Sequence, residues 1–300
     1  MVAGFRRSLS FPNHSSKPHK NLHVRSTSLP CRSHPLISQL QDEINELKNW
    51  HSDPDNGTSA WLCDGLNRLK IVHEGFDDLL QLPQPRESLC RHSEWTEKLL
   101  EDFLGFVDVY GVFQSLVLTL KQEHLAAQVA LRRKDHSKVA LYVKAIKKIA
   151  KATSKLMTTV RSYVGGRFFI SESVSLTDVD AELAEVLGNV NEVTVLVSST
   201  LFNVISLWFA SQKPSLIGLR FLKRRGKKVQ KEEGIGEFQQ VGLMESLWGG
   251  LRKKGEKEVK MVLKRMHELE DCICEIENGS ERVFRSLIHS RVSLLNVLTQ

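Results

Sequence analysis

The chain has 300 residues, 41% of them hydrophobic, so it can bury a sizeable core as one large domain or two small ones. A formal net charge of +7 is compatible with an acidic protein partner, anionic lipid or nucleic acid, and is too mild to choose among them. The five cysteines show no Cys-x-x-Cys spacing, which argues against a zinc site or a redox pair and favours reduced cytosolic thiols.

Residues 1–32 are basic and rich in serine, and we predict that they form a disordered tail. The pattern Arg-Ser-x-Ser-x-Pro occurs there twice, and its key residues are Arg7, Ser10, Pro12, Arg25, Ser28 and Pro30. Basophilic kinases and 14-3-3-type phosphoserine adaptors use this arrangement, because an arginine-rich groove can bind the added phosphate. Chance occurrence in a Ser/Arg-rich tail, and an organelle transit peptide, are the alternatives.

Helical periodicity begins immediately after the tail. Ser33 or His34 can cap a first helix whose first turn contains Pro35, and the loop at 53–57 ends that helix. A second amphipathic helix is expected from Thr58 to Leu80, closed by the prolines that follow.

Residues 87–134 have a very broad apolar face, which predicts one long helix near the centre of a bundle. The next helix, to about Tyr163, carries an apolar stripe and an opposite lysine face made of Lys144, Lys147, Lys148, Lys151 and Lys155. Such a face could bind phosphates or lipid headgroups, although a solvated surface is the commoner explanation.

The uncharged run from Val193 to Gln212 is the only membrane candidate that the pattern suggests. Its scattered hydroxyl and amide side chains favour a buried bundle helix instead. Residues 213–240 are predicted to form an exposed loop, variable within the domain, with the basic cluster Lys223, Arg224, Arg225, Lys227 and Lys228. That cluster could serve as a nuclear localisation signal or an anionic contact, or simply be solvated.

Apolar residues from Val259 to Val297 recur in three- and four-residue steps over about six heptads, which predicts a long coiled-coil-like helix. We favour a partner helix in the same chain over a dimer. Gly279 is expected to break or kink this helix, because glycine is unfavourable in a helix interior.

Sequence signatures of the common enzyme classes are absent, and we predict no catalytic residue, cofactor or metal. Most histidines are expected to be exposed or in loops. Asp77 and Asp78 are interpreted as surface acids at a helix end.

Three blocks, 21–36, 77–83 and 291–296, resemble the plant family of BYPASS-related proteins, a domain of unknown function. Leu141–Met157 and Glu268–Glu277 also resemble the family, and the first serine motif lies outside the shared region. The resemblance implies an all-helical plant protein without established enzymatic activity. Its founding relatives are linked to root and shoot development through a mobile root-derived signal.

Together these features predict an all-α protein with a tail and one helical bundle domain at 33–300. We expect a non-enzymatic regulator or scaffold with protein partners and no specific nucleic acid, controlled by phosphorylation of the tail. The alternative is a peripheral membrane protein that binds anionic lipid through basic surfaces. A cytoplasmic location is expected, with membrane-peripheral or nuclear locations as alternatives, and the oligomeric state is left open.

Overall fold

A computed structural model describes residues 34–52, 58–163, 177–210 and 256–299. Within these ranges the protein is all-helical, which confirms the predicted fold class. The helices are α1 Pro35–His51, α2 Ser59–Leu80, α3 Pro83–Arg91, α4 Ser93–Arg132, α5 His136–Ser162, α6 Asp178–Ala210 and α7 Glu256–Leu298. The predicted tail and the basic loop at 213–240 lie outside the described residues.

Side-chain caps fix the starts of three helices. The Leu36 amide donates to Nδ1 of His34 over 3.2 Å, and Pro35 occupies the first helical position. Thr58 accepts the Trp61 amide at 3.0 Å. At the start of α6, Thr177 Oγ1 accepts the Asp180 amide at 3.1 Å and donates to the carboxylate of the same residue at 2.7 Å.

The single helix expected over 87–134 is two helices, and this expectation was wrong. α2 ends at Leu80, as expected. Pro83 does not merely follow that end: it is the first residue of α3, where its missing amide hydrogen costs nothing. The chain then leaves helical geometry at His92, with φ −113° and ψ 66°. The break is stabilised by the Thr96 hydroxyl, which donates to the Leu89 carbonyl at 3.2 Å, and by the His92 ring stacked 4.1 Å from Trp95.

Neighbouring helices close around a shared apolar core. α4 packs between α5 and α7, α2 packs between α1 and α7, and α6 contacts α5, α1 and α2. Across the centre, Tyr110 of α4 is hydrogen-bonded to Ser198 of α6 at 3.1 Å, and the Phe113 and Phe202 rings lie 5.0 Å apart. Most of the uncharged run of α6 is buried, as predicted, from Val193 to Phe209.

Among the described residues, two helices, α4 and α6, are long and apolar enough to cross a membrane by length and composition alone. The expectation of one membrane candidate was therefore wrong. In its most apolar window α6 is 61% buried, whereas α4 is only 39% buried. Core helices of soluble proteins can be equally long and equally apolar.

The seam of α7 is buried against α2 and α4 of the same chain, as favoured from the sequence. α4 and α7 run antiparallel, since Gly111 faces Phe284 while His124 meets Met266. Gly279 does not interrupt α7, contrary to expectation. A Cβ atom at that position would lie 2.9 Å from Cδ1 of Leu66, so the glycine lets α2 approach closely.

Candidate functional site

The orientation of α5 is set at its first turn and by its apolar stripe. Lys134 adopts a positive φ of 56°, and the Asp135 carboxylate then accepts the Ser137 and Lys138 amides, each at 3.2 Å. One stripe of α5 is buried in the core through Val139, Tyr142, Ile146, Ile149, Thr153 and Val160. Burial of that stripe turns the opposite face to the surface.

All five lysines singled out from the sequence, Lys144, Lys147, Lys148, Lys151 and Lys155, are exposed on that face. Lysine and arginine occupy seven positions of α5, and aspartate and glutamate occupy none. Like charges four residues apart on a helix cost about 0.2–0.5 kcal/mol per pair. Repulsion among the lysines therefore lowers the stability of α5, and a bound anion would reduce that repulsion.

A groove of about 560 Å³ lies between α5 and α6. Six residues of α5 and one of α6 line it, namely Lys147, Ala150, Lys151, Ser154, Lys155, Thr158 and Ser206. Within the described part of the chain, its polar groups are ammonium and hydroxyl groups, with no carboxylate among them. The groove can therefore offer hydrogen bonds and positive charge to an anion.

Only part of this groove could be found from the sequence. The lysine face predicted Lys147, Lys151 and Lys155, but Lys144 and Lys148 of the same face lie outside the groove. Ser206 was missed, because it comes from α6, 51 or more positions from the lysines. Ser206 is one of several hydroxyl residues in the uncharged run of α6, so the sequence does not single it out.

A second cavity lies between α4, α5, α6 and α7 and is lined almost wholly by apolar side chains, among them Phe113, Leu120 and Trp208. It holds about 20 Å³, room for roughly one water-sized molecule. It is too small and too apolar to serve as a substrate pocket.

His124 is buried, unlike most of the described histidines. Its Nε2 lies 2.7 Å from the Met266 carbonyl oxygen and its Nδ1 lies 2.8 Å from the Tyr142 hydroxyl. Since a carbonyl only accepts, Nε2 carries the proton and Nδ1 accepts from Tyr142. Burial lowers the pKa of His124 and favours this neutral form. Both ring nitrogens are thus used to join α4, α5 and α7.

His73 is fully buried as well, edge-on to Phe103 at 5.5 Å. The Thr194 hydroxyl donates to the Val190 carbonyl at 2.7 Å, so its oxygen accepts from Nε2 of His73 at 3.2 Å. Burial lowers the pKa of His73 to about 3. This imidazole is neutral at physiological pH and has no access to solvent, so it serves the core.

Asp77 is not the surface acid that the sequence suggested. It is 8% exposed, at the interface of α2 and α7, and its Oδ2 lies 2.6 Å from Nδ1 of His289. Burial raises the pKa of Asp77, and the hydrogen bond with His289 opposes that rise. The pair fastens α7 to α2 and leaves Asp78 outside it.

Among the residues that the structure describes, no three His, Cys, Asp or Glu side chains are grouped so as to hold a metal ion. The other residues singled out from the sequence lie outside the described ranges. They are Arg7, Ser10, Pro12, Arg25, Ser28 and Pro30 of the tail and Lys223, Arg224, Arg225, Lys227 and Lys228 of the basic cluster.

A family model described as Protein BPS1 matches residues 65–297, well over half of the chain. The match spans α4, α5 and α6 and nearly all of α7, and it confirms the resemblance to the BYPASS-related family. No curated protein and no solved structure matches the chain.

Proposed function

The chain belongs to the BPS1 family, and from that membership we propose that it is a regulatory protein of plant development that acts by binding rather than by catalysis. The family is not a known enzyme family. The observation that carries the proposal is the chemistry of the groove, whose described lining offers ammonium and hydroxyl groups without a carboxylate, imidazole or thiol beside them. Such a lining suits recognition of an anion and lacks a general base.

Phosphorylation of the tail is the proposed control. Ser10 and Ser28 lie 18 residues apart in equivalent motifs, a separation that allows one tail to engage both grooves of a dimeric 14-3-3-type adaptor. Each phosphate would bring nearly two negative charges to an otherwise basic segment. Two linked contacts bind more tightly than one, so we expect both serines to contribute.

This control is tested with the full chain phosphorylated by a basophilic kinase and presented to an immobilised 14-3-3 protein. We expect retention of the phosphorylated protein, weaker retention of Ser10→Ala or Ser28→Ala, and none of the double variant. Retention that is equal for the wild type and the double variant would remove the tail motifs from the proposal.

A second function, docking on anionic membrane, is favoured by the lysine face together with exposed apolar side chains of α4, the helix that packs against α5. Five apolar residues of α4 are between 42% and 52% exposed: Leu104, Val112, Leu118, Leu125 and Val129. Exposed apolar side chains and a basic helix face suit a protein lying on a bilayer, where each lysine near the surface contributes about 1 kcal/mol.

Membrane docking is tested by sedimentation with phosphatidylserine vesicles at low and high salt. We expect binding at low salt and release at high salt, because electrostatic docking is screened by ions. Protein that remains in the supernatant after the vesicles are sedimented at low salt would exclude this function.

A further inference from the structure

We infer that the groove between α5 and α6 is a binding site for a multiply phosphorylated polyol, as a free molecule or as the headgroup of a lipid. This inference rests on the proposed function, because it names the class of ligand that the same groove would bind, and it depends neither on phosphorylation of the tail nor on general adsorption to a bilayer. Its warrant is the arrangement of three lysines and three hydroxyl side chains along the groove.

The three lysines form a ladder along the groove. Lys147, Lys151 and Lys155 follow one another at intervals of four residues, so they lie on one side of α5 and span about 12 Å of its axis. That length matches a ring bearing several phosphates better than a single phosphate. Lysine binds phosphate as a mobile point charge, and the ladder can therefore adapt to different phosphate positions.

The hydroxyl of Ser154 differs from the others of its helix. A helical serine or threonine commonly donates to a carbonyl of the preceding turn. Thr153, Thr158, Thr159 and Ser162 do so within α5, and Ser137 donates to the capping Asp135. The hydroxyl of Ser154, and that of Ser206 across the groove, make no hydrogen bond to any described residue. Both hydroxyls are half-buried and are available to a ligand.

Groove composition also narrows the class of ligand. The volume of about 560 Å³ falls within the usual range for small-molecule sites. Among the residues that the structure describes, no aromatic side chain lines the groove, and a nucleobase would normally stack on one. The described lining contains no carboxylate either, so a cationic ligand is disfavoured. A polyol with several phosphates satisfies the lysines and the hydroxyls without a stacking surface.

The site is tested by isothermal titration of the full chain with inositol hexakisphosphate at about 0.15 M salt. The groove variant is Lys151→Gln/Lys155→Gln. The matched control is Lys144→Gln/Lys148→Gln, which removes two exposed lysines of the same helix at the same spacing but outside the groove. We expect the groove variant to lose about tenfold or more in affinity and the control less than about threefold.

Two results would overturn the inference. One is the absence of binding by the wild-type chain, and the other is equal weakening by the two double variants, which would mean diffuse attraction by the lysine face. Ser206→Asp supplies a second probe from α6, since it adds a negative charge to the groove and leaves every lysine in place. It should weaken binding at least as much as the loss of one lysine, with an unchanged circular dichroism spectrum.

A parallel arm identifies the source of the ligand. Neutral vesicles containing a small fraction of phosphatidylinositol 4,5-bisphosphate are mixed with the wild type, the groove variant and the matched control. Binding that the groove variant loses and soluble inositol hexakisphosphate displaces assigns the groove to a lipid headgroup. Binding of the soluble probe alone assigns it to a free polyol phosphate. Vesicle binding that falls equally in both double variants, without binding of the soluble probe, belongs to general membrane docking and overturns the groove site.

Discussion

His124 donates its Nε2 hydrogen to the main-chain oxygen of Met266, 2.7 Å away on the antiparallel helix α7. The same ring accepts the Tyr142 hydroxyl of α5 at 2.8 Å. One side chain therefore satisfies buried polar groups of two neighbouring helices.

We predict that His124→Leu lowers the free energy of unfolding by about 2–4 kcal/mol, because two buried polar groups each lose a hydrogen bond. Urea denaturation measures this loss. His267→Ala is the control on α7, since the side chain of His267 is 73% exposed, and it should change stability by less than about 0.5 kcal/mol. Equal effects of the two substitutions would contradict the bridging role of His124.

Stability should fall as pH drops from about 6.5 towards 3, in part through His73. Burial lowers its pKa to about 3, so below the ordinary histidine pKa of 6.5 the unfolded chain binds a proton that the folded protein excludes. The slope approaches about 1.4 kcal/mol per pH unit for this group. Urea denaturation at pH 7 and pH 5 tests it, and His73→Leu should show a smaller difference between the two pH values. Thr194 keeps its bond to Val190 in that variant.

Gly65 allows α1 and α2 to approach each other, and we predict that Gly65→Ala destabilises the protein by about 2–4 kcal/mol. The new Cβ would lie 2.2 Å from Cζ2 of Trp50. That ring cannot easily move, since it stacks 4.2 Å from the Trp61 ring and donates to the Trp61 carbonyl at 3.0 Å. Thermal unfolding measures the effect.

Gly75→Ala is the control in the same helix. Its Cβ would meet nothing closer than Leu40 at 3.4 Å, and alanine is favoured over glycine in a helix by about 1 kcal/mol. We expect an unchanged or slightly higher melting temperature. A loss as large as that from Gly65→Ala would show that close packing against Trp50 is not the cause.

Cysteine reactivity should differ sharply within the chain. Burial raises the pKa of the Cys63 thiol to about 11, whereas Cys90 is exposed. Because the thiolate is the reactive form, iodoacetamide at mildly alkaline pH should modify Cys90 well before Cys63. Peptide mass spectrometry after short exposure measures the order. Faster labelling of Cys63 would mean that α2 opens readily in solution.

Much of the fold could be predicted from the sequence, because burial follows helical periodicity closely. The seam of α7 and the lysine face of α5 both follow from a 3.6-residue repeat. The break at His92 could not be predicted, since neither glycine nor proline marks it and its stabilising contacts are with Thr96 and Trp95. Ser206 likewise joins the groove only through packing of α6 on α5.

The buried histidines show the limit of residue-type averages. His73 and His124 lie on the inner faces of α2 and α4, in register with apolar neighbours, and their helical positions indicated burial better than their polarity did. The partners that make burial tolerable, Thr194 and Tyr142, lie on other helices. Such long-range pairs cannot be derived from one sequence.

Trp50 and Trp61 bind each other twice, as each indole N–H donates to the main-chain oxygen of the other residue, at 3.0 and 3.3 Å. Their rings are nearly parallel, 14° apart, at a centroid distance of 4.2 Å. Indoles held this close couple their electronic transitions, so the pair is a built-in optical reporter of the α1–α2 contact. Separation of these two helices would change the ultraviolet circular dichroism of the pair without any added label.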